Sequence, residues 1–123
     1  MSPKQVMIVE DEPITAMDEH EILTNLGYEV VGMTFTGKTA LSQVRKAKPD
    51  VVIMDVVLLG DMNGVDAARI IQRDYHIPVV IVTALGRSLM QLNAPEQHSL
   101  RIVEKPYTEE TLAAAIEAAL EGA

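Results

Sequence analysis

Short apolar runs recur along the chain, and a more polar stretch with apolar residues at helical spacing follows each one. The runs are five to eight residues long and rich in Val and Ile, which is typical of β-strands. Five of them predict strands: QVMIV (5–9), YEVVGMT (28–34), DVVIMD (50–55), IPVVIVTA (77–84) and LRIVE (100–104).

The intervening stretches predict helices. The first begins at Pro13, a residue suited to the first helical position, and continues to Leu26, before Gly27. The others span 36–48, 64–75, 86–98 and 108–121. Pro95 should end the helix at 86–98 after about two turns, whereas Thr108 is a suitable N-cap for the last helix. Five strand-helix units result.

The runs VVIM and PVVIV are apolar at successive positions instead of alternating with polar residues. This pattern is typical of parallel strands that helices cover on both faces. With right-handed crossovers, the units form a doubly wound α/β domain, and a functional site is expected beyond the carboxyl ends of the strands. The length of 123 residues and the lack of a linker predict one domain over 1–123.

Composition narrows the possible functions. A net charge of −8 with scattered basic residues argues against direct nucleic-acid binding. No apolar run approaches the roughly 18 residues that a membrane span needs, so membrane insertion is not expected. Because the chain has no cysteine and no signal-peptide pattern at its start, a cytoplasmic location is the better prediction.

Charged and hydroxyl side chains stand where the predicted strands end: EDE (10–12), Asp55, Thr83 and Lys105. Taken singly, each has a structural explanation as a helix cap, a turn residue or a surface ion-pair partner. Together they would crowd carboxylates on one rim, which requires a balancing cation. Mg²⁺ and a lysine would supply it, and an aspartate beside them can accept a phosphoryl group.

These segments resemble the receiver domain of two-component response regulators, of the chemotaxis-regulator type, over essentially the whole chain. IVEDEP, DVVLLGDMNGVDAA, IPVVIVTA and VEKPY carry the resemblance. It implies that Asp55 is the phosphoacceptor and that Thr83 and Lys105 contact the phosphoryl group. It also implies the Mg²⁺ ligands: Asp11, Asp55, Glu10 through water, and Val57 through its backbone carbonyl. The bond before Pro106 is typically cis in this family.

The same resemblance implies a flavodoxin-like strand order, 2-1-3-4-5, and a signalling role in place of classical enzyme activity. The domain would promote its own phosphotransfer and autodephosphorylation. Its expected partners are a histidine kinase or phosphotransfer protein, and a downstream protein or attached output domain; a homodimer is also open.

Two alternative functions stay open. The first is a small nucleotide-binding protein, because GMTFTGKT (32–39) fits the P-loop pattern G-x-x-x-x-G-K-[ST] and lies between a predicted strand and a predicted helix. The other is a receiver that docks to a partner without being phosphorylated.

The chain departs from the family at Ile102, where receivers usually have an aromatic residue that reports phosphorylation. Val57 and Leu85 occupy positions that flank the path of an attacking water in the receiver fold. Neither side chain can hydrogen-bond that water, which predicts slow loss of the phosphoryl group.

Overall fold

The computed structural model describes residues 3–55, 64–84 and 101–122. Five strands form one parallel sheet in the order β2-β1-β3-β4-β5, which confirms the predicted fold class and strand order. The strands are β1 (Gln5–Val9), β2 (Glu29–Thr34), β3 (Val51–Asp55), β4 (Val79–Thr83) and β5 (Arg101–Glu104). Each lies within the run that predicted it.

Four helices are described: α1 (Pro13–Asn25), α2 (Gly37–Ala47), α3 (Gly64–Tyr75) and α4 (Glu109–Glu121). Three begin at side-chain caps, as Glu12, Thr36 and Thr108 accept hydrogen bonds from backbone N–H groups in the first turn of the helix that follows. Gly27 has a φ of +95°, which allows the sharp turn from α1 into β2. The helix predicted at 86–98, with Pro95, lies outside the described residues.

The core has one apolar layer on each face of the sheet. Helices α2 and α3 cover one face with side chains such as Val44 and Ile71, and α1 and α4 cover the other with side chains such as Leu23 and Ile116. Strands β3 and β4 are buried at every position, because helices cover both of their faces. No helix in the described ranges is long and apolar enough to cross a membrane.

Candidate functional site

The backbone brings four strand ends to one edge of the sheet. Glu10 directly follows β1, and its N–H donates to the Thr34 carbonyl at 2.9 Å. Asp55 is the last residue of β3, and Thr83 is the last residue of the neighbouring β4. The N–H of Lys105 donates to the Thr83 carbonyl at 2.8 Å, which places the residue after β5 beside the end of β4. The carboxyl ends of parallel strands therefore form one rim.

Three carboxylates converge on this rim. Glu10, Asp11 and Asp55 each offer an oxygen, and these oxygens lie within 4.8 Å of one another. Glu10 and Asp55 are buried, whereas Asp11 is only half-buried. The cluster therefore combines carboxylates shielded from water with one that remains accessible from solvent.

Lys105 places its ammonium group among these carboxylates. Its Nζ donates to Asp55 Oδ2 at 2.6 Å and to Glu10 Oε1 at 3.5 Å. Burial by itself would lower the pKa of Lys105, but the hydrogen bond to Asp55 and the charges of Asp55 and Glu10 outweigh it and raise that pKa. The Lys105–Pro106 bond is cis, as the resemblance implies.

One lysine does not neutralise the cluster. Burial, followed by the charge of Asp55, raises the pKa of Glu10 to about 8, although the N–H of Glu12 and the charge of Lys105 oppose this shift. Three hard oxygen donors, one of them on the half-buried Asp11, fit Mg²⁺, which keeps several water ligands. The residues present therefore suit a divalent cation.

The structure brings the predicted residues Glu10, Asp11, Asp55 and Lys105 into one cluster, and it places Thr83 at the end of the adjacent strand. Val57 and Leu85 lie outside the described residues. Glu12 has a different role from the clustered carboxylates. Its carboxylate caps α1 by accepting a hydrogen bond from the N–H of Ile14 at 2.9 Å. The acidic triplet thus has both the capping and the site-forming roles that its sequence allows.

The P-loop alternative does not match the structure. Residues Gly32, Met33 and Thr34 are strand residues that pair with β1, so they form no phosphate-binding loop before α2. The Thr36 hydroxyl caps α2 by accepting from the N–H of Thr39 at 3.1 Å, and Lys38 is exposed.

A polar contact next to the site was not expected from the sequence. Glu19 of α1 is 1% exposed, and its Oε2 accepts a hydrogen bond from the Tyr107 hydroxyl at 3.4 Å. A signal for it was present, because Glu19 lies three residues after Ala16 and four before Leu23 on the buried face of the helix. This spacing predicts that the Glu19 carboxylate is on the buried face of α1.

A parallel sheet in this order, with carboxylates and a lysine at its carboxyl edge, defines a receiver-type signalling domain. Residues 6–117 match the family described as the response regulator receiver domain. The chain belongs to this family of two-component signalling proteins, which confirms the resemblance drawn from its motifs. Receiver domains interact with histidine kinases and with output or partner proteins.

Similar proteins include both short and longer regulators. The chain is 32% identical to the chemotaxis protein CheY of Thermotoga maritima, over 85% of this chain and 87% of that protein. It is 33% identical to protein PilH of Pseudomonas aeruginosa, with 96% and 98% covered. It is 36% identical to the transcriptional regulatory protein PdtaR of Mycobacterium tuberculosis, with 96% and 57% covered. The chain thus spans about half the length of several curated relatives.

Among solved structures, the receiver domain of Erythrobacter litoralis PhyR is similar, with a TM-score of 0.86, 31% identity, and 98% of this chain and 92% of that chain covered. The response regulator PhyR of Brucella abortus has a TM-score of 0.83 and 36% identity, and 98% of this chain matches 49% of that one.

Proposed function

We propose that this chain accepts a phosphoryl group on Asp55, with Mg²⁺ bound, from a histidine kinase or phosphotransfer protein, and that phosphorylation switches a binding surface. The observation that carries the proposal is the setting of Asp55. This buried carboxylate ends a central strand, receives the Lys105 ammonium group at 2.6 Å, and lies beside Glu10 and Asp11. Metal, lysine and an acceptor carboxylate are the components that phosphoryl transfer needs.

In the transfer step, a carboxylate oxygen of Asp55 attacks phosphorus and forms an O–P bond, while the P–N bond to the donor histidine breaks. The imidazole leaves with the bonding electron pair and takes up a proton, so an aspartyl phosphate and a neutral histidine result. Lys105 would balance charge on a phosphoryl oxygen, and the Thr83 hydroxyl would donate to another. Mg²⁺, held by Glu10 through water, Asp11, Asp55 and the Val57 carbonyl, would neutralise charge on the phosphoryl oxygens.

The output would differ from that of receivers with an aromatic switch residue. Ile102 is partly buried and packs against the apolar layer beneath α2 and α3. Because an aliphatic side chain cannot swing a ring between a buried and an exposed position, we expect β5 to report phosphorylation through its backbone and through neighbouring side chains. The receiving protein would be a separate partner or an attached output domain.

The test is phosphorylation of the purified chain by phosphoramidate, followed by intact-mass spectrometry. We expect the chain to gain one phosphoryl group with Mg²⁺ present, and none when EDTA replaces the metal or when Asp55→Asn removes the acceptor. Lys38→Met is the matched control, because it removes an exposed lysine outside the acidic cluster and should react at the wild-type rate. Incorporation by Asp55→Asn at the wild-type rate would contradict the assignment.

A receiver that docks without phosphorylation is the second candidate. Similarity to the anti-anti-sigma factor PhyR of Bartonella quintana supports it, with a TM-score of 0.82 and 33% identity over 99% of this chain and 49% of that one. The convergence of Asp55, Lys105 and the acidic pair favours the phosphoacceptor. If the wild-type chain gains no phosphoryl group from phosphoramidate, the docking function takes its place.

A further inference from the structure

Glu19 is a charged residue within an apolar layer. It lies on the inner face of α1 between Ala16 and Leu23, which share a core cluster with Leu112 and Ile116 of α4. Its side chain is 1% exposed. Burial raises the pKa of Glu19 to about 7, the charge of Lys105 opposes the shift, and the charge of Asp55 adds to it. The carboxylate therefore lies within electrostatic reach of the candidate phosphorylation site.

The hydrogen bonding of Glu19 is incomplete. Oε2 accepts from the Tyr107 hydroxyl at 3.4 Å, which is long for a bond between two oxygens. Oε1 is buried and has no hydrogen-bond partner among the residues that the structure describes. A buried carboxylate with an unsatisfied oxygen destabilises a fold, and an apolar side chain of similar shape is often more favourable there. Stability of the apolar layer alone does not explain a glutamate at this position.

Tyr107 connects Glu19 to the site. It stands two residues after Lys105, in the segment that joins β5 to α4. This segment is held at one end by the bond from the Lys105 N–H to the Thr83 carbonyl, and at the other by the bond from Tyr107 to Glu19. Burial, followed by the charge and hydrogen bond of Glu19, raises the pKa of Tyr107. The Lys105 side chain starts between these two attachment points.

We propose that Glu19 is a positioning residue for Lys105: its buried carboxylate anchors the Tyr107 hydroxyl, fixes the segment 105–107, and so keeps the Lys105 ammonium group on Asp55. The inference deepens the proposed phosphoacceptor function and rests on it for its kinetic consequence. In this proposal the carboxylate acts through Tyr107 and is not itself a catalytic residue.

Three variants test the proposal with phosphoramidate and Mg²⁺. Glu19→Leu and Tyr107→Phe each remove the anchoring bond and should slow phosphorylation about fivefold, the effect of losing one hydrogen bond. Glu19→Gln retains an acceptor for the Tyr107 hydroxyl and should stay close to the wild-type rate. The matched controls are Glu21→Leu, an exposed position on the same helix, and Tyr75→Phe, in the opposite layer; both should react normally.

Thermal unfolding separates positioning from a structural role. Because Glu19→Leu replaces an unsatisfied buried carboxylate with an apolar side chain, its Tm should rise by about 4 °C or more while its phosphorylation slows. A Tm and a rate that fall together in Glu19→Leu would show a structural role and overturn the proposal. An unchanged rate in both Glu19→Leu and Tyr107→Phe would overturn it as well.

A second measurement needs no phosphorylation. The ammonium protons of Lys105 should exchange slowly with water while they are held on Asp55. NMR of the ¹⁵N-labelled lysine side chains measures this exchange, and Lys105→Met identifies the signal. Exchange should be several times faster in Glu19→Leu and Tyr107→Phe than in the wild type. Unchanged exchange would refute the positioning role. Faster exchange in a chain that takes up no phosphoryl group would support that role and refute only the phosphoacceptor function.

Discussion

Replacing Lys105 with Met removes the ammonium group from the acidic site and keeps most of the side chain's apolar length. In the wild-type protein this group lies 2.6 Å from Asp55 Oδ2 and 3.5 Å from Glu10 Oε1. The side chain of Lys105 is 30% exposed, whereas that of Asp55 is only 8% exposed. The variant therefore leaves two buried carboxylates beside each other without their shared cation.

The size of the effect follows from this burial. Removing one partner of a fully buried ion pair costs roughly 3–5 kcal/mol of folding free energy, because the remaining charge stays buried without compensation. Water reaches part of Lys105 and weakens the pair, so we expect a loss of about 2 kcal/mol in metal-free protein. The protein should remain folded, since native domains are stable by roughly 5–15 kcal/mol.

Urea unfolding followed by circular dichroism measures this loss, first in EDTA and then in excess Mg²⁺. Binding to the native state alone stabilises a protein by about 2.7 kcal/mol when the free ligand is at 100 times its Kd. Because Lys105→Met leaves the site with one more uncompensated negative charge, Mg²⁺ should stabilise this variant more than the wild type and reduce the deficit. Lys38→Met, at an exposed position, controls for the loss of one positive charge.

Two results would refute the reasoning. If Lys105→Met is as stable as Lys38→Met in EDTA, the ammonium group does not compensate the buried carboxylates. If Mg²⁺ stabilises the wild type and Lys105→Met equally, the lysine and the metal do not balance the same negative charge.

The remaining predictions concern buried side chains and the lifetime of the phosphorylated state. The pKa of Glu19 is about 7, above the ordinary 4.5, so the contribution of the Glu19 side chain to folding stability is full below pH 4.5 and is lost as pH rises through 7. In urea unfolding, Glu19→Gln should therefore gain roughly 2–3 kcal/mol of stability relative to the wild type between pH 5 and pH 8. A stability difference that stays constant with pH would contradict this. Ile71→Ala should cost about 3 kcal/mol of folding free energy in the same assay, because Ile71 is fully buried. Ile14→Ala, at a side chain that is 73% exposed, should change stability by less than about 0.5 kcal/mol. Similar losses in both variants would be evidence against the packing argument. Val57→Asn or Leu85→Gln should accelerate loss of the phosphoryl group roughly 10-fold, measured as decay after the donor is removed, and equal or slower decay in both would refute the shielding argument.

The pattern of apolar residues predicted most of the fold because each strand and helix is locally consistent with it. The helix predicted at 64–75 has those same bounds as α3, and Thr108 caps α4 as expected. Small differences occur at element ends. The run 28–34 begins as a strand at Glu29, because Tyr28 donates its N–H to Leu23 in the turn after α1. Backbone hydrogen bonds of this kind leave little trace in side-chain patterning.

The site residues that stand at strand ends could be predicted from the sequence. Glu10, Asp55 and Lys105 meet because parallel strands end at one edge. The contact between Glu19 and Tyr107 was missed because it joins a helix interior to a loop 88 residues later. Strand periodicity says nothing about such a pairing, although the helical spacing of Glu19 with Ala16 and Leu23 indicates that its side chain is buried.

The strands that carry the site differ in how firmly the fold holds them. Every residue of β3 and β4 is buried, whereas β5 lies at the edge of the sheet with only one buried residue among its four. Backbone amides in β3 and β4 should therefore exchange with solvent among the last in the protein, and those in β5 earlier. Asp55 and Thr83 end the buried central strands, whereas Lys105 follows the edge strand, which has fewer buried residues. A charge added at Asp55 would therefore displace β3 little. The larger displacement would be in β5 and in the residues that follow it, Tyr107 and α4.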